Sequence, residues 1–344
     1  MDVYCQRQHQ RHRSIAVRLI ALMTLSTALF GTFLPTTLAA TAAASAQTPA
    51  PAREPVKVVA SFSILGDWVQ QVGGDRVELV TIVGAGGDAH TFDPSPDQVA
   101  QVATAQVLFE VGAEFEPWLD DMVAASGSPA RRVTVTEGLD LIPLDEEEQA
   151  EHEGETGTEA AHDHGAVDPH VWHDAANAIA IVERIRDELS TVDPTNATTY
   201  TANADRYLAE LRTLDGEIRQ QVASLPEERR RLVTSHDTFA YYARAYGFEV
   251  IGTALGAAST ETGEPSAQQF AELVAQIQEA AVPAIFAENV ANPDLMQSIA
   301  DEAGVALAPP LYSDALSEPG GPAENYVALM RTNTTTIVGA LGSE

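Results

Sequence analysis

TYTANADRYLAELRTLDGEIRQQVASL, residues 199–225, is the stretch that decides the fold. Its apolar side chains fall at Tyr200, Ala204, Tyr207, Leu211, Leu214, Ile218 and Leu225, with Leu208 and Val222 beside them. Steps of three, four and seven residues mark one face of a helix. Gly216 is the only glycine inside the stretch, and Pro226 stops it. At about 1.5 Å per residue such a helix runs roughly 40 Å. That is more than one small lobe needs, and it suits a strut between two. A coiled-coil dimer is the alternative, which one short segment supports poorly.

Apolar strand-like runs alternate with amphipathic helical ones on both sides of the strut. Before it, strands are expected at 56–62, 76–84, 106–112 and 131–138. Helices are expected at 64–74, 96–105, 117–127 and 174–190, the last capped by Asp174. After it, strands are expected at 231–235, 248–254, 283–288 and 305–312, with helices at 236–247, 267–280, 293–304 and 323–341. This alternation predicts two α/β lobes, each with a mostly parallel sheet flanked by helices, joined by one long helix. The boundaries read as 56–197 for the first lobe, 198–226 for the connecting helix and 227–344 for the second lobe.

The first 46 residues read as a secretory signal peptide: Arg7, Arg11, Arg13 and Arg18, an apolar run, then small residues. A Pro-rich linker follows at 47–55. The sole cysteine, Cys5, precedes the apolar run, where a lipid-attachment cysteine would follow it. The processed chain therefore has no thiol, which excludes disulfides, thiolate-bound metal and thiol catalysis. The leader carries four Arg and one Asp, so the net charge of −31 becomes about −34 without it. Such a charge disfavours nucleic acid and anionic membrane surfaces and favours cations. A soluble, periplasmic protein is expected, with an uncleaved membrane anchor as the alternative.

Between the fourth strand and the fourth helix, residues 145–168 carry ten acids and no Lys or Arg. His152, His162 and His164 sit among those acids. A segment of this composition does not bury enough apolar surface to fold alone. It reads as an auxiliary metal-capture loop or as an inert solvated one.

In open parallel sheets, ligands bind beyond the carboxyl ends of the strands. Metal-capable side chains fall at four such junctions: His90, His170, His236 and Asp314. Three imidazoles and one carboxylate suit a closed tetrahedral site for Zn2+, with Mn2+ also open. Any one of these histidines could instead be a turn or cap residue, and Asp314 a turn aspartate. His173, which follows His170 in DPHVWHD, is expected to point away from it if the segment is extended, in a supporting or solvent role. Asp93, Asp168 and Glu261 are acidic candidates for orienting the imidazoles. Trp118 and Trp172 are expected to pack rather than bind.

GGDAHTFDPSPDQ, DPHVWHD, SHDTFAYYARAYGF and LYSDALSEPGGPAENYVALMRTN resemble the metal-specific solute-binding proteins of bacterial ABC importers, the cluster A-I proteins of zinc and manganese uptake. The resemblance covers about residues 56–344. It implies two α/β lobes joined by a long rigid helix and a single metal between them, with His90, His170, His236 and Asp314 at the ligand positions. Manganese-selective members usually carry Glu where this chain has His236, so the resemblance favours zinc. The acidic, His-bearing loop resembles that of zinc-uptake members, whereas His173 stands where the family often has leucine. The implied partners are a membrane permease and a periplasmic zinc metallochaperone, with the carrier a monomer and no enzyme. The rivals are a manganese carrier, a secreted zinc hydrolase and an adhesin or structural surface protein. The hydrolase would need an open coordination position and a general base.

Overall fold

The computed structural model describes residues 54–144, 167–255 and 265–342. The leader, most of the linker, His152, His162, His164 and Glu261 lie outside the described residues. Among the described residues, no helix is long and apolar enough to cross a membrane.

In the first half, β1 (Val56–Phe62), β2 (Val77–Val83), β3 (Val107–Glu110) and β4 (Arg131–Thr134) form one parallel sheet in the order β2-β1-β3-β4. Val58 of β1 pairs with Leu79 on one side and Val107 on the other. All but Lys57 in β1 is buried, which is why the strand reads as a nearly unbroken apolar run. Helices α1 (Ser63–Gly73), α2 (Pro96–Ala103), α3 (Leu119–Ser126) and α4 (Ala175–Val192) accompany it. Ser95 and Gln98 make a capping box at the start of α2, and Asp174 accepts from Ala176 N at the start of α4. The strand order reverses between β1 and β3, so the chain leaves these neighbours in opposite directions. In sheets of this kind the ligand crevice lies there, beyond the strand ends.

The second half repeats the alternation with two two-stranded sheets. β5 (Arg231–Thr234) pairs in parallel with β6 (Glu249–Thr253), and β7 (Ala284–Glu288) with β8 (Ala306–Leu311). β5 lies beside β7. Each pair has a register shift, and β8 contains Pro309 and Pro310, which an edge strand tolerates. Helices α6 (Ala240–Tyr246), α7 (Ala267–Ala280), α8 (Pro293–Ala303) and α9 (Tyr326–Gly342) complete it.

The strut is α5 (Ala197–Val222), 26 residues. It buries Tyr200, Ala204, Tyr207, Leu208, Leu211, Leu214, Ile218 and Val222, the face expected from the periodicity. That face packs on α1 and α4 of the first half and on α9 and α6 of the second. Each buried Leu or Ile contributes about 1.5–3 kcal/mol. One apolar cluster therefore runs from Phe62 and Trp68 through Leu211 to Tyr242 and Leu329. A second lies against α7 and α8, with Leu273, Ile277, Ile285, Met296 and Ile299.

Three local expectations change. The helix expected from His236 begins only at Ala240, because His236–Phe239 turns to present the imidazole: Thr234 Oγ1 and Thr238 N both donate to His236 O. The helix expected from Pro117 begins at Leu119. DPHVWHD is not extended but closes a 3-10 turn at Val171–His173. The turn buries His173 completely against the Phe239 ring, with centroids 4.4 Å apart, so a solvent role is excluded.

Candidate metal centre

His90 lies on the loop between β2 and α2. Asp88 fixes the turn by accepting from His90 N at 2.9 Å and from the Thr91 hydroxyl at 3.0 Å. His170 opens the 3-10 turn before α4. The Asp168 carboxylate accepts from its backbone N–H at 2.8 Å and faces its Nδ1 at 2.7 Å. That contact puts the proton on Nδ1 and turns the Nε2 lone pair toward the crevice. His236 follows β5, and its Nδ1 stands 2.6 Å from Glu288 Oε2 at the end of β7. The other Glu288 oxygen accepts from Ser235 N and His236 N at 3.0 and 3.1 Å. Asp314 follows β8, with the Thr238 hydroxyl donating to its Oδ1 at 3.3 Å.

The four side chains meet between the halves. Their donor atoms all lie within 4.8 Å of one another. His90 Nε2 is 3.2 Å from His170 Nε2, and His236 Nε2 is 3.1 Å from Asp314 Oδ2. Asp314 also lies 3.6 Å from His90 Nε2 and 3.9 Å from His170 Nε2. A tetrahedral ion with bonds of about 2.0–2.1 Å needs donor–donor edges of about 3.3–3.4 Å. These four distances straddle that value, so the donor set is close to the geometry a small divalent cation needs. His170, His236 and Asp314 are fully buried, and the His90 side chain is 7% exposed.

The electrostatics divide the imidazoles. Burial pushes His170 down to about 3, although Asp314 pulls the other way, so its ring is neutral and ready to bind. Burial would lower His236 too, but Glu288 and Asp314 outweigh it and hold its pKa well above the ordinary value. Burial opposes the charge on Asp314, yet His236, with His90 and His170 behind it, holds it well below the usual carboxylate range. Without a cation, a proton on His236 neutralises part of the charge that a metal would otherwise balance.

Hydrogen bonds across the crevice hold the loop that carries Asp314. The peptide of Leu316 donates to Ser63 Oγ at 3.0 Å and accepts from Gly86 N at 2.9 Å, both in the first half. Trp172 Nε1 donates to Ser313 O at 2.9 Å. Trp172 therefore packs, as expected, within an aromatic wall with Phe62 and Phe115. Trp118 also packs, against Phe92, and donates to Ala89 O at 2.7 Å.

The loop from β3 to α3 completes that wall under strain. Gly112, Ala113 and Glu114 have φ of 77°, 52° and 60°, a left-handed turn in which two residues carry a Cβ. Each such residue costs about 1–2 kcal/mol. Glu116 is buried behind it, its carboxyl accepting from Val111 N at 2.8 Å and Gly112 N at 3.1 Å. Burial pushes this carboxyl up to about 7, against the Ser61 hydroxyl and the two N–H donors.

Of the acidic orienting candidates, Asp168 takes that place on His170, while Asp93 stays exposed. Glu288, which orients His236, was not singled out from the sequence. Its only signal is one acidic residue closing an otherwise apolar strand, AIFAE, just where ligands collect. His173 is fully buried, neither ring nitrogen has a hydrogen-bond partner among the described residues, and burial pushes its pKa down to about 3.

A two-lobed α/β frame with a long connecting helix and a buried His3Asp cluster between its halves defines a metal-binding solute-binding protein. Residues 58–340 match the family described as "Zinc-uptake complex component A periplasmic", and the chain belongs to that family of ABC-importer components. It is 34% identical over 288 residues to the manganese-binding lipoprotein MntA of Halalkalibacterium halodurans, covering 84% of this chain and 89% of that protein. It is 29% identical over 316 residues to the iron-binding protein YfeA of Yersinia pestis, covering 92% of this chain and 96% of that one. Among solved structures, the periplasmic zinc-binding protein TroA of Treponema pallidum superposes with a TM-score of 0.72 at 28% identity, over 84% of this chain and 99% of TroA. The Mn-bound periplasmic metal-binding protein of Candidatus Liberibacter asiaticus gives 0.71 at 26% identity, over 83% and 99% of the two chains. These relatives are named for manganese, iron and zinc.

Proposed function

We propose that the protein captures Zn2+ on His90, His170, His236 and Asp314 and delivers it to the membrane permease of an ABC importer. The observation that carries this reading is the convergence of the four donors, from both halves, within 4.8 Å. Zinc is preferred over manganese because three of the donors are imidazoles, whereas Mn2+ prefers oxygen. Four protein donors fill a tetrahedral ion, which leaves no position for the water of a hydrolase and favours a carrier over an enzyme.

The rest of the reading follows the sequence. Residues 1–46 are removed on export, 56–197 and 227–344 are the two lobes, and 198–226 is the link. The carrier is monomeric and extracytoplasmic. The relative at 34% identity is named a lipoprotein, which speaks against the anchor-free form expected from the position of Cys5. The segment 145–168 gathers cations or receives a metallochaperone through His152, His162 and His164.

Manganese is the second reading, favoured by the name of the relative at 34% identity. Metal analysis of the purified protein under equimolar Zn2+ and Mn2+, with His236→Ala alongside, separates the two. The zinc reading expects zinc to be retained and its affinity to fall more than about 100-fold in the variant, beyond the loss usual for an outer partner. Manganese retained in preference overturns it.

A further inference from the structure

The left-handed turn at Gly112–Glu114 is strained without glycine at two of its three positions. Strain of this kind persists only where the surroundings over-determine it, and it gathers at functional sites. Here the surroundings are the Glu116 carboxyl, which holds Val111 N and Gly112 N from behind, and the Phe115 N–H, which closes on Gly112 O at 3.1 Å. The turn delivers two side chains to the His90 loop. The edge of Phe115 meets the His90 ring with centroids 4.7 Å apart. Trp118 Nε1 donates to the carbonyl of Ala89, the residue before His90, at 2.7 Å, and its ring packs on Phe92 at 5.2 Å. The strained loop thus grips the His90 segment at ring, backbone and flank. His170 and His236 are oriented differently, by carboxylates at Nδ1.

We infer that Glu116 is a positioning residue for the metal site, acting through the 112–118 loop on the orientation of His90. Glu116 touches neither the donors nor the cation. Its two oxygens lock the loop, and the loop locks the imidazole. A glutamine in its place offers one acceptor where two N–H groups need one each, and turns an NH2 donor toward the other.

The inference rests on the four-donor reading, and a double-mutant cycle separates the two. Zn2+ affinity is measured by competition with a fluorescent chelator for the full chain, Glu116→Gln, His90→Ala and the double variant, with His236→Ala as the second background. Glu116→Gln is expected to weaken zinc binding about tenfold, the scale of one spoiled buried hydrogen bond. The loss should shrink below about twofold when His90 is already alanine and persist when His236 is alanine instead. Equal losses in both backgrounds, or none in the full chain, overturn the inference. His90→Ala without effect on zinc binding would sink the four-donor reading instead. If Glu116→Gln does not fold, Trp118→Phe carries the same cycle, since it deletes the N–H to Ala89 and trims the ring that packs on Phe92. Its loss must likewise vanish with His90, and persistence there overturns the inference.

Discussion

His236 and His90 face the same centre from opposite halves, and the chain steers them by different physics. His236 is fully buried, with Glu288 2.6 Å from Nδ1 and Asp314 3.1 Å from Nε2. Charge holds it, and the same charge gives it an affinity for protons. His90 lies at the rim, braced by the edge of Phe115 and by a loop that Trp118 grips. Packing holds it. The lesson is that one donor cluster can combine a side chain whose orientation costs a proton with one whose orientation costs backbone strain. The two should fail under different perturbations.

The largest expected effect is that of pH. Because Glu288 and Asp314 hold His236 above its ordinary value, its protonated form is favoured, and the metal must displace that proton. Zinc affinity should therefore fall with acidification, by up to about tenfold per pH unit where that site holds its proton. Competitive titrations over a series of pH values check it, and a flat profile would remove the proton from His236 and with it half of the contrast. Glu288→Ala comes next. It strips the acceptor from two buried N–H groups, so unfolding in urea should register a loss of about 2–4 kcal/mol. Zinc affinity should drop about 100-fold. A loss no greater than that of Asp168→Asn would mean that the carboxylates do not distinguish the histidines. Asp168→Asn keeps an acceptor near His170, so about tenfold in affinity is expected, read by the same titration. The smallest effect lies away from both ligands. Gly216 sits inside α5 with open space where a Cβ would go, so Gly216→Ala should add about 0.5–1 kcal/mol of stability and leave affinity alone. A changed affinity would show that the strut, rather than the local braces, sets the donors.

The sequence carried the large features because they are periodic. The face from Tyr200 to Val222 repeats at helical spacing, and that face is the one buried. Strands such as AIFAE, bounded by Pro283 and turning residues, declared themselves by apolar continuity. His90, His170, His236 and Asp314 could be picked out because each closes a strand or loop at the ligand end of a sheet, although only the family resemblance chose them over other polar residues. Glu288 escaped because its position in a strand does not reveal which group its carboxylate meets 52 residues away. The left-handed turn was hidden for the opposite reason. Ala113 and Glu114 have no preference for positive φ, so the conformation is imposed by the surroundings and leaves no local mark. His173 was misplaced by assuming an extended segment, where a 3-10 turn folds the ring inward.

The helix α5 packs on elements of both halves along a single apolar face. A helix seated on both halves in this way would work as the beam of a calliper whose jaws are set before anything is measured. A carrier that closes by rotating its halves loses part of its affinity to that motion. A stiff beam avoids the loss and adds a filter, because jaws that do not follow the object grip only one gauge. Discrimination among ions of equal charge would then be a matter of tolerance, set by how far the four donors can be spread.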